Sequence, residues 1–162
     1  MDKPAVDLLT PTPEDMHAVR QIFQEYADSL SIDLKFQGFE TELAHLPGEY
    51  SEPRGQILLA RVDGSIAGCC ALRPLDDCDY PNAAEMKRLY VRKAFRGLGL
   101  GRQLVEAMLD TARQAGYDHV LLDTLDDMEA ARTLYEELGF ESIEPYYHNP
   151  LPGAHYLKAA LL

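Results

Sequence analysis

Residues 85–125 constrain the fold more than any other stretch. Glu85 to Val91 reads as a strand, and the glycine loop Arg96-Gly97-Leu98-Gly99-Leu100-Gly101 follows it directly. A helical pattern comes next, with Leu104, Val105, Met108, Leu109 and Ala112 on one face and Gly116 at its end. His119 to Leu125 has a continuous Val-Leu-Leu centre, as expected of a strand covered on both faces. A strand, a helix and a strand joined in this way lie with the strands parallel and the crossover right-handed. The chain therefore builds a sheet with helices on its faces.

The remaining patterns extend that unit in both directions. Ala5 to Leu9 is a candidate first strand. Thr12-Pro13-Glu14-Asp15 reads as a helix start, and Met16, Val19, Phe23, Tyr26, Ala27 and Leu30 follow at helical spacing. Phe36, Phe39, Leu43 and Leu46 suggest a second helix, stopped by Pro47-Gly48, with a loop to Gly55. Gln56 to Val62 and Ser65 to Arg73 form a hairpin about Asp63-Gly64, and Pro74 to Asn82 is an acidic loop. After the central unit, Asp126 and Glu129 mark a helix start, and Ala131, Leu134, Tyr135 and Leu138 share its inner face. Glu141 to Tyr147 and Ala154 to Leu162 are the last two strands. The order is β-α-α-β-β-β-α-β-α-β-β, an α/β fold with a mixed sheet, and the 162 residues suit a single domain spanning 1–162.

The glycine loop points to a phosphate. Glycines let the backbone approach a ligand, and a helix start offers free N–H groups and a positive dipole end. Arg96 and Arg102 flank it with positive charge. A Walker loop would need Lys-Ser/Thr after its last glycine, and Arg102-Gln103 stands there instead. A dinucleotide fingerprint would space its glycines GxGxxG, and here the third arrives one residue early.

Arg96, Gly99 and Gly101 do fill the pattern Gln/Arg-x-x-Gly-x-Gly/Ala. Met86-Lys87-Arg88-Leu89-Tyr90-Val91 before it and Leu134-Tyr135-Glu136-Glu137-Leu138-Gly139-Phe140 after it keep the matching order and spacing. On these residues the chain resembles the GNAT superfamily of acetyl-coenzyme A-dependent N-acetyltransferases. The resemblance is strongest over 85–140, and the outer elements fit the same fold.

The resemblance implies two parallel central strands that splay apart to admit the pantetheine arm of acetyl-CoA. It places Leu89, Tyr90 and Val91 along that arm. The backbone of Arg96, Gly97, Leu98, Gly99, Leu100, Gly101 and Arg102 would lie at the pyrophosphate. An amine would attack the thioester directly in a ternary complex, with backbone N–H near Leu89 as oxyanion donor. Tyr135 matches the superfamily acid, although an apolar helix face could also simply pack a tyrosine. Glu85 matches the acid often found at the start of the fourth strand. It would serve as a base if burial raised its pKa, and it reads equally as an exposed strand-end acid. Met128 stands where many members carry an asparagine that contacts the pantetheine.

For the acceptor, Arg73 and Arg88 are candidates to grip a carboxylate in forked fashion, with Tyr50 and Tyr146 as aromatic contacts. Alternation places Glu85 and Lys87 on one strand face and Arg88 on the other. Ordinary core and rim packing is the better account of most of the aromatics, and His148 reads as a loop residue. These features favour a small amine that also carries a carboxylate, such as an amino acid. Acetylation of a protein lysine or N-terminus is the alternative, and a non-catalytic acyl-CoA sensor is an alternative of another class.

The formal net charge of −12 argues against nucleic acid and anionic lipid as partners. Cys69, Cys70 and Cys78 are odd in number and lack metal-ligand spacing, so neither a disulfide framework nor a bound metal is expected. No apolar run has the length of a membrane span. A cytoplasmic enzyme is the expectation, and a homodimer is compatible with it.

Overall fold

The computed structural model describes residues 4–30, 38–125, 129–147 and 153–161. The elements are β1 (Val6–Leu9), α1 (Met16–Ser29), α2 (Phe39–Ala44), β2 (Gln56–Val62), β3 (Ser65–Leu75), β4 (Ala83–Val91), α3 (Leu100–Gln114), β5 (His119–Leu125), α4 (Glu129–Glu137), β6 (Glu141–Ser142) and β7 (Ala154–Ala160). They form one seven-stranded sheet in the order β1-β2-β3-β4-β5-β7-β6. Among the described residues only β4 and β5 pair in parallel, as the strand–helix–strand reading requires.

Alternation along the strands divides the core in two. Leu58, Ala60, Cys70, Leu72, Ala84 and Met86 face α3 and α4, where Leu104, Val105, Met108 and Tyr135 meet them. Ile57, Leu59, Cys69 and Ala71 face α1 and α2, against Val19, Ile22, Phe23 and Phe39. Cys69 and Cys70 thus point to opposite faces, and both are free and buried. Burying a leucine, valine or methionine side chain contributes about 1.5–3 kcal/mol, so the α3 stripe is a main source of the helix's stability.

Several boundaries differ from the sequence reading. Thr12 starts a 3-10 turn, Pro13–Asp15, and α1 begins only at Met16. There the Asp15 carboxylate accepts from the Thr12 N–H and hydroxyl at 2.7 and 3.0 Å. Among the described residues the second helix is the short α2, entered through Gly38 in a left-handed conformation; Phe36 lies outside them. The expected loop after it contains a turn, Gly48–Tyr50, that buries Tyr50. β3 runs on to Leu75. The strand expected over Glu141 to Tyr147 stops at Ser142. Pro145 has no N–H to extend a ladder, and Tyr146 and Tyr147 turn inward instead. No described helix is long and apolar enough to cross a membrane.

Candidate acyl-transfer site

The cleft begins where β4 and β5 separate. They pair only at Ala83↔His119, Ala84↔Val120 and Glu85↔Leu121. Beyond Glu85, β4 stays with β3 and β5 stays with β7 as far as Leu125↔Ala154. A gap therefore widens between two strands that were neighbours.

β4 also bulges at this point. Ala71 pairs with Lys87 and Cys69 with Tyr90, so Cys70 faces both Arg88 and Leu89. Arg88 takes φ 63°, a left-handed value. The bulge cancels one step of the alternation. Arg88 lies on the α1/α2 face beside Lys87 and Glu85, not on the opposite face as a regular strand would place it. Cys69 donates its thiol to the Arg88 carbonyl at 3.1 Å. Across a trans peptide the next N–H points the opposite way, so Leu89 N–H is turned from β3 toward the gap. Leu89 and Val91 pack toward α3, and Tyr90 packs toward α1.

The glycine loop closes the α3 end. A turn at Lys93–Phe95 leads to Gly97 at φ 91° and Gly99 at φ 75°, and Gly99 is the N-cap of α3. A Cβ at either glycine would meet nothing within 4 Å, so backbone conformation and not space demands glycine there. Gly101 is helical, and a Cβ on it would make only an ordinary contact with Leu134. The first helical bond runs from Gln103 N–H to the Gly99 carbonyl at 3.1 Å. The N–H groups of Leu100, Gly101 and Arg102 thus open the helix without helical acceptors. Arg96 Nε donates to the Val91 carbonyl at 3.1 Å, tying the loop to β4. The Arg102 side chain pairs with the exposed Glu137 of α4 and Glu106 beside the helix start. Leu98 stands exposed at the loop tip.

Charged and phenolic groups crowd the α1/α2 side of the gap. Glu85 is buried, accepts from Arg73 Nε and the Tyr146 hydroxyl at 2.7 Å each, and lies 3.9 Å from Lys87 Nζ. Burial pushes its pKa up, but the charges of Lys87 and Arg73 and the bonds from Tyr146 and Arg73 more than reverse this, leaving it below the ordinary value. The raised pKa on which its role as base depends is thus not what the structure gives. Asp123 of β5, two residues past the last parallel pair, behaves oppositely. Burial raises its pKa, Glu85 adds to the rise, and the bond from Tyr147 with the charges of Lys87 and Arg88 oppose it. Burial likewise lowers the pKa of Lys87, with Arg88 and Arg73 adding to the fall and Glu85 and Asp123 opposing it.

The other expected acceptor residues divide. Arg73 lies between Glu85 and the exposed Glu49, at 2.7 Å from each. Arg88 is buried, bonded to Glu42 through Nε and Nη2 at 3.0 and 2.9 Å, and stacked on Phe39 and Tyr26. Its fork is filled by the protein itself, which corrects its assignment to a substrate carboxylate. Tyr50 donates to Glu42 at 2.8 Å and packs edge-on against Phe23, so it supports Arg88 from within the core. Tyr146 does reach the site, within an aromatic group formed with Tyr147 and Tyr156.

Tyr135 packs against Phe140 with ring centroids 5.4 Å apart. Burial, with Cys70, Tyr26 and Asp123 nearby, pushes its phenol well above the usual range. Met128, Asp126, His148 and Asn149 lie outside the described residues. Sequence reasoning passed over Asp123 and the bond that Tyr147 donates to it. The available signal was a carboxylate ending the apolar run Val120-Leu121-Leu122 of a strand covered on both faces. Among the described residues no group of His, Cys, Asp or Glu could hold a metal ion.

Comparison with known proteins places this architecture. A protein of Schizosaccharomyces pombe, named as an uncharacterised N-acetyltransferase, is 41% identical over 147 residues, covering 90% of this chain and 88% of its own. Human N-acetylaspartate synthetase is 33% identical over 114 residues, covering 70% of this chain and 37% of its own. A GNAT acetyltransferase from Staphylococcus aureus superposes with a TM-score of 0.78 at 22% identity, over 98% of this chain and all of that one. A Salmonella typhimurium acetyltransferase solved with acetyl-CoA gives 0.71 at 19%, over 97% and 94%. The profile of the Acetyltransferase (GNAT) family matches residues 16–140, the span from α1 through the bulged strand and glycine loop to Phe140, just past α4. The matched span holds the elements that open the cleft, and the chain belongs to the GNAT acetyltransferases, an acyltransferase whose acceptors are amines.

Proposed function

We propose that the protein transfers an acetyl group from acetyl-CoA to the primary amine of a small molecule that also bears a carboxylate, such as an amino acid, by direct attack in a ternary complex. The observation that carries the donor half is the open β4 edge beyond Glu85, with Leu89 N–H turned into the gap. That edge can pair with an extended amide-bearing arm as an added strand would. The start of α3 supplies N–H groups and a positive dipole end for a pyrophosphate. The residues thus fit acetyl-CoA, which when bound supplies a thioester as acyl donor.

Leu89 N–H would donate to the oxyanion that develops as nitrogen attacks, an interaction stronger in the transition state than before it. Tyr135 would give its proton to the departing thiolate. Its raised pKa keeps the phenol protonated at neutral pH, as an acid must be. Glu85 holds Arg73 and Lys87 in place from below.

Arg73 is the cation best placed for an acceptor carboxylate. Its pair with Glu49, whose side chain is 69% exposed, is screened by solvent and contributes at most about 1 kcal/mol. A substrate carboxylate can therefore displace Glu49 at small cost. The relatives named N-acetylaspartate synthetase, whose name specifies an acetylated amino acid, support the same acceptor class.

The test is thiol release from acetyl-CoA across amino acids, their decarboxylated amines, polyamines and lysine peptides. Turnover of amino acids that falls on decarboxylation is expected. Turnover confined to polyamines or peptides overturns the acceptor class, and acetyl-CoA binding without thiol release overturns catalysis.

A further inference from the structure

We propose that Asp123 is the catalytic base, taking the proton that the acceptor amine gives up, and that Tyr147 is its positioning residue. The inference rests on the amine-transfer reading above and names the group on which that reaction depends for its proton.

Place is the first argument. Asp123 follows Leu121, the last β5 residue paired with β4, by two positions, and so shares its face. That is the face of Glu85, Lys87 and Arg88, and the position lies where the strands have already separated. An amine approaching the gap from the α1/α2 side passes this wall.

The second argument is fixation. Tyr147 donates its hydroxyl to Asp123 Oδ2, and Tyr156 is the cross-strand neighbour of Asp123 on β7. The rings of Tyr147 and Tyr156 pack with centroids 5.7 Å apart, and Tyr146 packs on both. Two phenols thus hold two carboxylates, Tyr146 on Glu85 and Tyr147 on Asp123.

The third argument separates those carboxylates. Glu85 is pinned by Arg73 and Lys87, which favour its charged form and make it a poor proton acceptor. Asp123 is moved the other way. Glu85, Lys87 and Arg88 from β4 and Tyr147 from the segment after β6 act on it, Tyr156 lies across from it on β7, and it acts in turn on Tyr26 of α1, Tyr135 of α4 and Tyr146. Their net effect with burial raises its proton affinity toward the range a base needs.

The protons balance. The ammonium gives one proton to the Asp123 carboxylate. The freed lone pair forms the N–C bond while the C–S bond breaks, and Tyr135 gives its proton to the departing thiolate. The proton then shed by the amide nitrogen restores Tyr135, and the one on Asp123 leaves to solvent.

The experiment compares wild type, D123N, E85Q and Y147F, using whichever amino acid turns over in the thiol-release panel. Acetyl-CoA affinity, measured by calorimetry, serves as the check on folding. For D123N, kcat should fall about a hundredfold at pH 7, with acetyl-CoA affinity retained. Activity should recover toward wild type near pH 10, where the amine is neutral and needs no base. Y147F should shift the pH profile with a smaller loss, and E85Q should keep a base-dependent profile whose inflection moves toward lower pH, because the Glu85 charge no longer raises Asp123. A D123N deficit equal at both pH values, or a profile abolished by E85Q, overturns this assignment alone. A wild type that binds acetyl-CoA and turns over no amine overturns the transfer reading and this proposal with it.

Discussion

The thiol of Cys69 donates to the carbonyl of Arg88 at 3.1 Å, a contact across β3 and β4 on the same peptide whose other side carries Leu89 N–H. Burial pushes the Cys69 thiol well above its usual range, so the donor stays protonated throughout the physiological pH range. C69A removes it and adds no bulk. Loss of the bond is expected to lower stability by about 1 kcal/mol in urea titrations. It should also reduce kcat several-fold while acetyl-CoA affinity holds. A wild-type kcat would show that the bulge keeps its tilt without the thiol.

Arg88 carries a second burden. Its guanidinium is buried among Glu42, Phe39 and Tyr26, and its backbone sits at φ 63°. Removing one partner of a buried ion pair costs about 3–5 kcal/mol, because the other charge is stranded. R88A should lose stability in that range. R88G lacks the same side chain but relaxes the left-handed backbone, and should recover about 1 kcal/mol of the loss. Equal midpoints for the two variants would remove the argument from backbone strain.

The glycine loop separates by residue. G99A forces a side chain into φ 75° with nothing nearby to clash, so its cost is purely conformational, about 1–2 kcal/mol. Acetyl-CoA affinity should fall about tenfold as the helix start shifts. G101A adds a methyl in a helical position at ordinary contact with Leu134, and should be neutral or stabilising by up to about 1 kcal/mol. Equilibrium unfolding and calorimetry on both variants check the contrast.

The central unit was legible because its signals are local. A glycine loop between an apolar strand and a striped helix specifies its own geometry, and Leu104, Val105, Met108, Leu109 and Ala112 all lie in the core as their spacing implies. The bulge was not legible. Residue alternation assigns Arg88 to the wrong face, because nothing in Lys87-Arg88-Leu89 announces an extra residue; only the pairing with β3 does. The roles of Arg73 and Arg88 failed to separate for a related reason. Which arginine has a spare fork depends on Glu42 and Glu49, distant in sequence and brought in by α2 and the turn after it. Asp123 was visible as an acid in a buried strand, but its proton affinity depends on Tyr147 and Glu85 across the cleft.

Tyr135 gives a prediction with two readouts. Y135F keeps the ring that packs on Phe140, so stability and acetyl-CoA affinity should hold while kcat falls about a hundredfold. Because burial pushes the phenol well above its usual range, wild-type kcat should show no alkaline fall from this group below pH 10. Full activity in Y135F leaves the tyrosine with packing alone.

Glu85 and Asp123 should alter stability with opposite signs, which tests the electrostatics of the cleft without any substrate. The folded pKa of Glu85 lies below its ordinary 4.5. Its ionisation therefore stabilises the fold above that value, and the contribution is lost as pH falls through the folded pKa. E85Q should be less stable than wild type at pH 7, by about 3 kcal/mol for a broken buried pair, with the gap closing only in acid. The folded pKa of Asp123 lies above its ordinary 3.8. Its contribution is fully present below the unfolded pKa and is lost as pH rises through the folded one, so ionising Asp123 strains the fold. D123N should therefore equal or exceed wild type in urea midpoint at pH 7, with any advantage shrinking as pH falls toward 4. The same sign for both variants at pH 7 would mean that the two carboxylates are not pushed apart, and the division of labour between them would lose its physical basis.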